Sequence, residues 1–310
     1  MSKIKVIFNI IINTMKLNYI EYNGDKVPLY IEDNKKNTTF LFLHGLNSNW
    51  KYMRPLLDYT HNYNVVAINF PGSKFFKNVE PEEIKLEWWI EVANEVLNRI
   101  KTKKVVIVAH SMAGGVATVL AKDPKVVRLI MMSTINPYMK ESTSYSVLQS
   151  VIKPQNKWSS FIGKVISKIA SKFKKTEKLI ESFTRQGAWF NLLEKYVLNP
   201  EYMEQLDLQY KANCHKMLFL VGEKDKIIGT KYFEDYAISL EVPILIMGTG
   251  HSPIKDEPKR IARFFNALIE SKKRHFWQKF MNIKMNQFLE FDEEKTKEED
   301  ILLELEQNVD

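Results

Sequence analysis

The chain has almost no cysteine: Cys214 is the only one in 310 residues. No intramolecular disulfide can form and nothing points to an oxidising compartment, so the cytoplasm is the default expectation. Long apolar runs are missing too. Val6-Ile7-Phe8-Asn9-Ile10-Ile11-Ile12 follows two lysines in the manner of a signal peptide. However, Asn9 interrupts the run, it is far shorter than the ~20 residues that span a bilayer, and no Ala-x-Ala cleavage site follows. Residues 1–16 therefore read as a leading helix or strand. Internal repeats are absent, as are helix-turn-helix, zinc-ligand and RNA-binding aromatic signatures, so no nucleic-acid partner is expected. Hydrophobic residues at 45% and charged residues at 26% exclude disorder throughout.

What the chain has in excess is positive charge, unevenly placed. The formal net charge is +8, yet Phe291 to Asp310 carry nine acidic residues against Lys295 and Lys297, a net of −7 that leaves the preceding chain at +15. A body so basic favours anionic surfaces. Residues 273–310 read as a charged C-terminal extension with an acidic tail from 291.

Short β-rich runs alternate with helical patterns. Thr39 to Leu43, Asn64 to Phe70, Lys104 to Ala109, Val126 to Met132, Met217 to Val221 and Pro243 to Met247 read as strands. Pro81 to Ile100, Met112 to Lys122, Thr230 to Leu240 and Glu257 to Ser271 read as helices. The alternation predicts an α/β fold built on a mostly parallel sheet with helices on both faces. Leu17 to Tyr22 and Val27 to Ile31 flank Asn23-Gly24 and read as an antiparallel hairpin. Between about Asn136 and Ala212 the alternation stops, so residues 17–136 and 212–272 form the expected core, with 137–211 a helical cap or lid. Within that insertion, Trp158 to Phe183 has apolar and lysine faces at helical spacing. It reads either as a cap helix with a solvated lysine face or as a lid that touches an anionic membrane at its inner face.

Three residues placed just after predicted strands carry the chemistry. Ser111 ends Val105-Val106-Ile107-Val108-Ala109-His110 and precedes Met112-Ala113-Gly114-Gly115, the pattern of a strand turning sharply into a helix with an exposed serine at the bend. An ordinary helix-capping serine is the competing reading. Ala109 and Ala113 occupy the places where such elbows usually have glycine. A serine nucleophile needs a base, and the base needs a carboxylate to fix its tautomer. Asp225 follows the Met217 to Val221 strand, and His251 follows Pro243 to Met247 in the glycine loop Gly248-Thr249-Gly250-His251. His110 reads as a packing residue that points away from the nucleophile, and His61, His215 and His275 have no evident partners. The His44-Gly45-Leu46 turn follows Thr39 to Leu43, so the Leu46 and Met112 amides are the candidate oxyanion donors.

With these residues the chain resembles an α/β-hydrolase-fold serine hydrolase of the lipase/esterase type. The resemblance runs from about Leu17 to Ser271 outside the lid, and includes Phe70-Pro71-Gly72 and Asp123-Pro124-Lys125-Val126. Asn69 departs from it, standing where aspartate is frequent. The resemblance implies hydrolysis of a small acyl ester or lipid through an acyl-Ser111 intermediate, without metal or organic cofactor. His44, Phe75, Phe76, Trp189 and Phe190 are candidate substrate-binding residues. A proline-type aminopeptidase or thioesterase on the same fold, and a non-catalytic binding scaffold, are the alternatives.

Overall fold

The computed structural model describes residues 4–7, 17–152, 188–270 and 289–290, apart from residues 74, 77, 79, 81 and 82. Among these residues the strands are β1 (Ile4–Ile7), β2 (Leu17–Tyr22), β3 (Asp25–Glu32), β4 (Thr38–Leu43), β5 (Asn64–Ala67), β6 (Lys104–His110), β7 (Val126–Met132), β8 (Met217–Gly222), β9 (Ile244–Met247) and β10 (Leu289–Glu290). They form one sheet in the order β1-β2-β3-β5-β4-β6-β7-β8-β9-β10. From β5 through β10 in that order the pairing is parallel, whereas β1, β2 and β3 join antiparallel at one edge. Asn23 and Gly24 at φ 49° and 80° make the tight turn between β2 and β3, as two-residue hairpins favour.

The central strands are buried on both sides, and the period of two in a strand sorts their side chains into two cores. Leu41, Leu43, Ile107, Ala109, Leu129, Met131, Phe219 and Val221 face one core. Phe40, Phe42, Val106, Val108, Ile130, Met132, Leu218 and Leu220 face the other. The first core is covered by α1 (Leu86–Arg99), α2 (Gly114–Leu120), α5 (Pro200–Asn213) and α6 (Thr230–Ser239), through residues such as Trp89, Val116, Leu206 and Phe233. The second is covered by the 3-10 segment Trp50–Asp58, by α7 (Pro253–Asp256) and by α8 (Pro258–Glu270), through Trp50, Met53, Ile254, Ile261 and Phe265. Where described, the chain between β7 and β8 is helical: α3 (Thr143–Ile152) and α4 (Ala188–Leu192) precede α5. The amphipathic stretch Trp158 to Phe183 and the acidic tail lie outside the described residues. No helix among the described residues is long and apolar enough to cross a membrane.

One strand is shorter than its apolar run predicts. β5 stops at Ala67 rather than Phe70 because Asn69 serves two other segments: its Oδ1 accepts from the Trp50 amide at 2.9 Å and its Nδ2 donates to the Pro28 carbonyl at 2.6 Å. Phe70 instead stacks on Trp89 at 4.3 Å, and the Trp89 indole donates to the Pro71 carbonyl. His61 also departs from expectation. One ring nitrogen lies 3.0 Å from Glu32, whose other oxygen accepts from the Tyr30 hydroxyl.

Candidate active site

β6 ends at His110 in the middle of the sheet, and Ser111 leaves it at φ 56° before a 3-10 turn leads into α2. For an L residue without a local hydrogen-bonding side chain, this left-handed conformation costs about 1–2 kcal/mol. It persists because its surroundings are fixed: Ala109 and Ala113 are fully buried, and the Ile135 amide donates to the Ser111 carbonyl at 3.2 Å. The two methyls that replace glycine therefore fit inside the turn. Ser111 itself is partly exposed.

The loop after β4 lies directly against it. A Cβ on Gly45 would stand 2.7 Å from Ser111 Cβ and 3.3 Å from its Oγ, so only glycine permits this approach. His44 sets the loop's orientation. Its Nδ1 lies 2.7 Å from the Gly45 carbonyl, which can only accept, so Nδ1 carries the proton and Nε2 accepts from the Phe70 amide at 3.0 Å. With both nitrogens used and no exposed surface, His44 is a buried clamp on this loop. A trans peptide directs its N–H opposite to its C=O. Pinning the Gly45 carbonyl to His44 therefore turns the Leu46 amide the other way.

Asp225 and His251 meet from the two loops after β8 and β9. Asp225 Oδ2 accepts from His251 Nδ1 at 2.9 Å, while Oδ1 accepts from the Ile227 and Ile228 amides at 2.9 and 3.2 Å. The Asp225 side chain is sealed from water and that of His251 is 18% exposed. Burial pushes the Asp225 pKa up. The hydrogen bond and charge of His251, the nearby Ser133 hydroxyl and the Ile227 amide outweigh it and hold the carboxyl below the usual aspartate value. An ionised Asp225 fixes the proton on Nδ1 and leaves Nε2 as the basic nitrogen.

The two loops are laid directly on each other. A Cβ on Gly222 would come within 2.5 Å of the carbonyl oxygens of Thr249 and Gly250, and the Lys224 amide donates to the Thr249 carbonyl. Gly222→Ala is expected to destabilise the protein by about 1–3 kcal/mol and to lower turnover further than stability alone explains, because the displaced segment carries His251. Thermal melts alongside kcat check this; an unchanged melt and kcat would show that the loop yields freely.

Other residues singled out in the sequence fall as follows. Met112 is fully buried and Leu46 partly exposed. Phe76 is buried against Tyr22, and Trp189 is buried in the first core, so their packing is that of core residues. Phe75 packs against both cores. Phe190 lies on α4, with its side chain outside the described residues. His110 does not simply point away: it is buried, stacked on Tyr52, and its Nε2 lies 2.7 Å from the carbonyl oxygen of His251. No pattern in the sequence announces that contact, which joins residues 141 positions apart.

Burial drives the pKa of His44 down to about 4. At His110, burial and then the neighbouring His251 drive it to about 3. Both lie below the ordinary histidine value near 6.5, so between pH 6.5 and 4 the unfolded chain binds protons that the folded chain refuses, and stability must fall as pH falls. Each imidazole is expected to cost about 2 kcal/mol at pH 5 relative to pH 7.5. Urea unfolding at the two pH values reads this, with His44→Gln reducing the difference. Equal midpoints at both pH values would contradict it.

Comparison with known proteins places these features in a group. The family model described as "Alpha/beta hydrolase family" matches residues 40–264. A protein of Mycoplasma genitalium named "Putative esterase/lipase 2" is 25% identical over 251 residues, covering 76% of this chain and 89% of its own length. One of Mycoplasma pneumoniae named "Putative esterase/lipase 1" is 23% identical over 252 residues, covering 73% of this chain and 90% of its own. Among solved structures, the thioesterase domain from the curacin biosynthetic pathway superposes with a TM-score of 0.57 at 14% identity, covering 82% of this chain and 99% of that domain. That likeness is one of fold.

Proposed function

From the premise that this chain belongs to the alpha/beta hydrolase family, we propose that it is a serine hydrolase of carboxylic esters with Ser111, His251 and Asp225 as its triad. The observation that carries the reading is the left-handed backbone of Ser111 at φ 56°: a serine held in a costly conformation at the end of a central strand is explained by exposure of a nucleophile. The relatives named esterase/lipase support the bond class.

His251 Nε2 takes the Ser111 hydroxyl proton as Oγ attacks the ester carbonyl. The oxyanion is held by the Met112 amide and the Leu46 amide, which the His44 clamp turns away from the Gly45 carbonyl. The tetrahedral intermediate collapses to acyl-Ser111, and His251 gives the proton to the departing alcohol. Water, deprotonated by His251, then attacks the acyl carbonyl, and as the bond to Ser111 Oγ breaks His251 returns the proton to Oγ and the acid leaves. Asp225 stays ionised throughout and stabilises the imidazolium formed in each half-reaction. The substrates are small acyl esters or acyl lipids.

A panel of p-nitrophenyl esters from short to long acyl chains, with a lysophospholipid, an acyl thioester and a prolyl amide, separates the bond classes. Ester turnover well above thioester and amide turnover is expected. Turnover confined to the thioester or the amide would replace the ester reading, and no turnover together with no reaction at Ser111 towards a fluorophosphonate would leave a binding scaffold.

A further inference from the structure

We propose that His110, the residue before the nucleophile, is a positioning residue that sets His251 against Ser111 by holding its backbone. The inference deepens the serine-hydrolase reading and rests on it. Asp225 fixes which way the His251 ring faces, but it does so from the loop after β8. A second restraint ties His251 to the strand that carries Ser111. His110 Nε2 lies 2.7 Å from the His251 carbonyl oxygen. That oxygen can only accept, so Nε2 carries the proton and Nδ1 is bare. Nδ1 is buried without a partner, so the bond to the His251 carbonyl is the one polar contact the imidazole makes.

The ring has little freedom to move. Tyr52 stacks on it with centroids 5.8 Å apart and planes 20° apart, and the Tyr52 hydroxyl is anchored by donating to the Val108 carbonyl at 3.2 Å. The His251 ring packs on it at 4.8 Å. Tyr52, His110 and His251 therefore form a row that begins on the 3-10 segment Trp50–Asp58, crosses the end of β6 and ends at the base. Burial and the His251 neighbour hold His110 neutral, with a pKa of about 3, so it donates one hydrogen bond and adds no charge beside the imidazolium that forms at His251. The Gly248–Gly250 loop is held on its other side by the Lys224 amide on the Thr249 carbonyl and by Asp256 on the Gly250 amide, so the His110 bond is what ties His251 to the strand that carries Ser111. A misplacement of about 1 Å costs on the order of 100-fold in rate.

The test turns on where a replacement donor sits. The Gln amide nitrogen lies at the distance of Nε2 from the backbone and that of Asn at the distance of Nδ1, so His110→Gln keeps the donor and His110→Asn loses it with the same chemistry. His110→Phe keeps a ring for Tyr52 but has no donor. Wild type is expected to react with a fluorophosphonate at Ser111. Relative to it, His110→Asn and His110→Phe should lose about 10- to 100-fold in both inactivation rate and kcat on a p-nitrophenyl ester, with KM within about 2-fold. His110→Gln should recover to within about 5-fold of wild type. If His110→Phe does not fold, the comparison of Gln with Asn carries the test, since the two share one functional group and differ by a single methylene. A reactive wild type with Gln and Asn variants of equal kcat, or with losses that appear in KM alone, overturns the positioning role while leaving the triad standing. A wild type that does not react at all overturns the serine reading, and the role of His110 with it.

Discussion

Ser111→Ala is expected to abolish ester hydrolysis, lowering kcat by roughly 10⁶ and eliminating fluorophosphonate labelling, while the protein keeps its fold. The hydroxyl is the only atom removed, and Ser111 Cβ stays where Gly45 already accommodates it. A companion variant tests the backbone. Alanine at φ 56° carries the same strain as serine, whereas glycine does not. Ser111→Gly is therefore expected to be as inactive as Ser111→Ala yet more stable by about 1 kcal/mol. Equilibrium denaturation of the two variants measures the difference. Ester turnover that survives in Ser111→Ala would remove the serine from the mechanism, and a glycine variant less stable than the alanine one would mean that the turn stores no strain.

Features governed by short-range rules were legible in the sequence. Asn23-Gly24 demands a two-residue turn, and the near-continuous apolar runs of β4, β6 and β8 demand burial on both faces, which the two cores supply. The placement of Ser111, Asp225 and His251 just after strands follows from those runs. What the sequence hides is long-range and polar. Asn69 ends β5 early because its amide is needed by Trp50 and Pro28, and nothing near it in the chain says so. Glu32 finds His61 across 29 positions and His110 finds the His251 carbonyl across 141. His44 shows the same limit: its place after a strand is readable, but only the fold reveals that both of its nitrogens are consumed. Periodicity reports which side chains avoid water. It does not report which polar atom a buried imidazole will meet.

Asp225→Asn is expected to lower kcat by about 10⁴ while leaving KM near its wild-type value. The reason lies in the three hydrogen bonds of one carboxylate. Oδ1 accepts from two backbone amides, Ile227 and Ile228, and Oδ2 accepts from His251 Nδ1. Asparagine has one oxygen and one NH2 to divide between these sides. If its NH2 faced the two amides, donors would oppose donors in a buried site, and leaving such groups unsatisfied costs about 1–3 kcal/mol. The oxygen must therefore face Ile227 and Ile228, which turns the NH2 towards His251. Facing a donor, Nδ1 becomes the acceptor and the ring proton moves to Nε2, the nitrogen that has to receive the Ser111 proton. The variant thus folds with its base in the wrong tautomer. The His251 Nδ1 proton, expected far downfield in the wild type from its bond to Asp225, should be absent from the variant's spectrum, and kcat and labelling should fall together. A variant that kept that resonance and its rate would show that Asp225 does not direct the imidazole, and a different carboxylate would have to be sought.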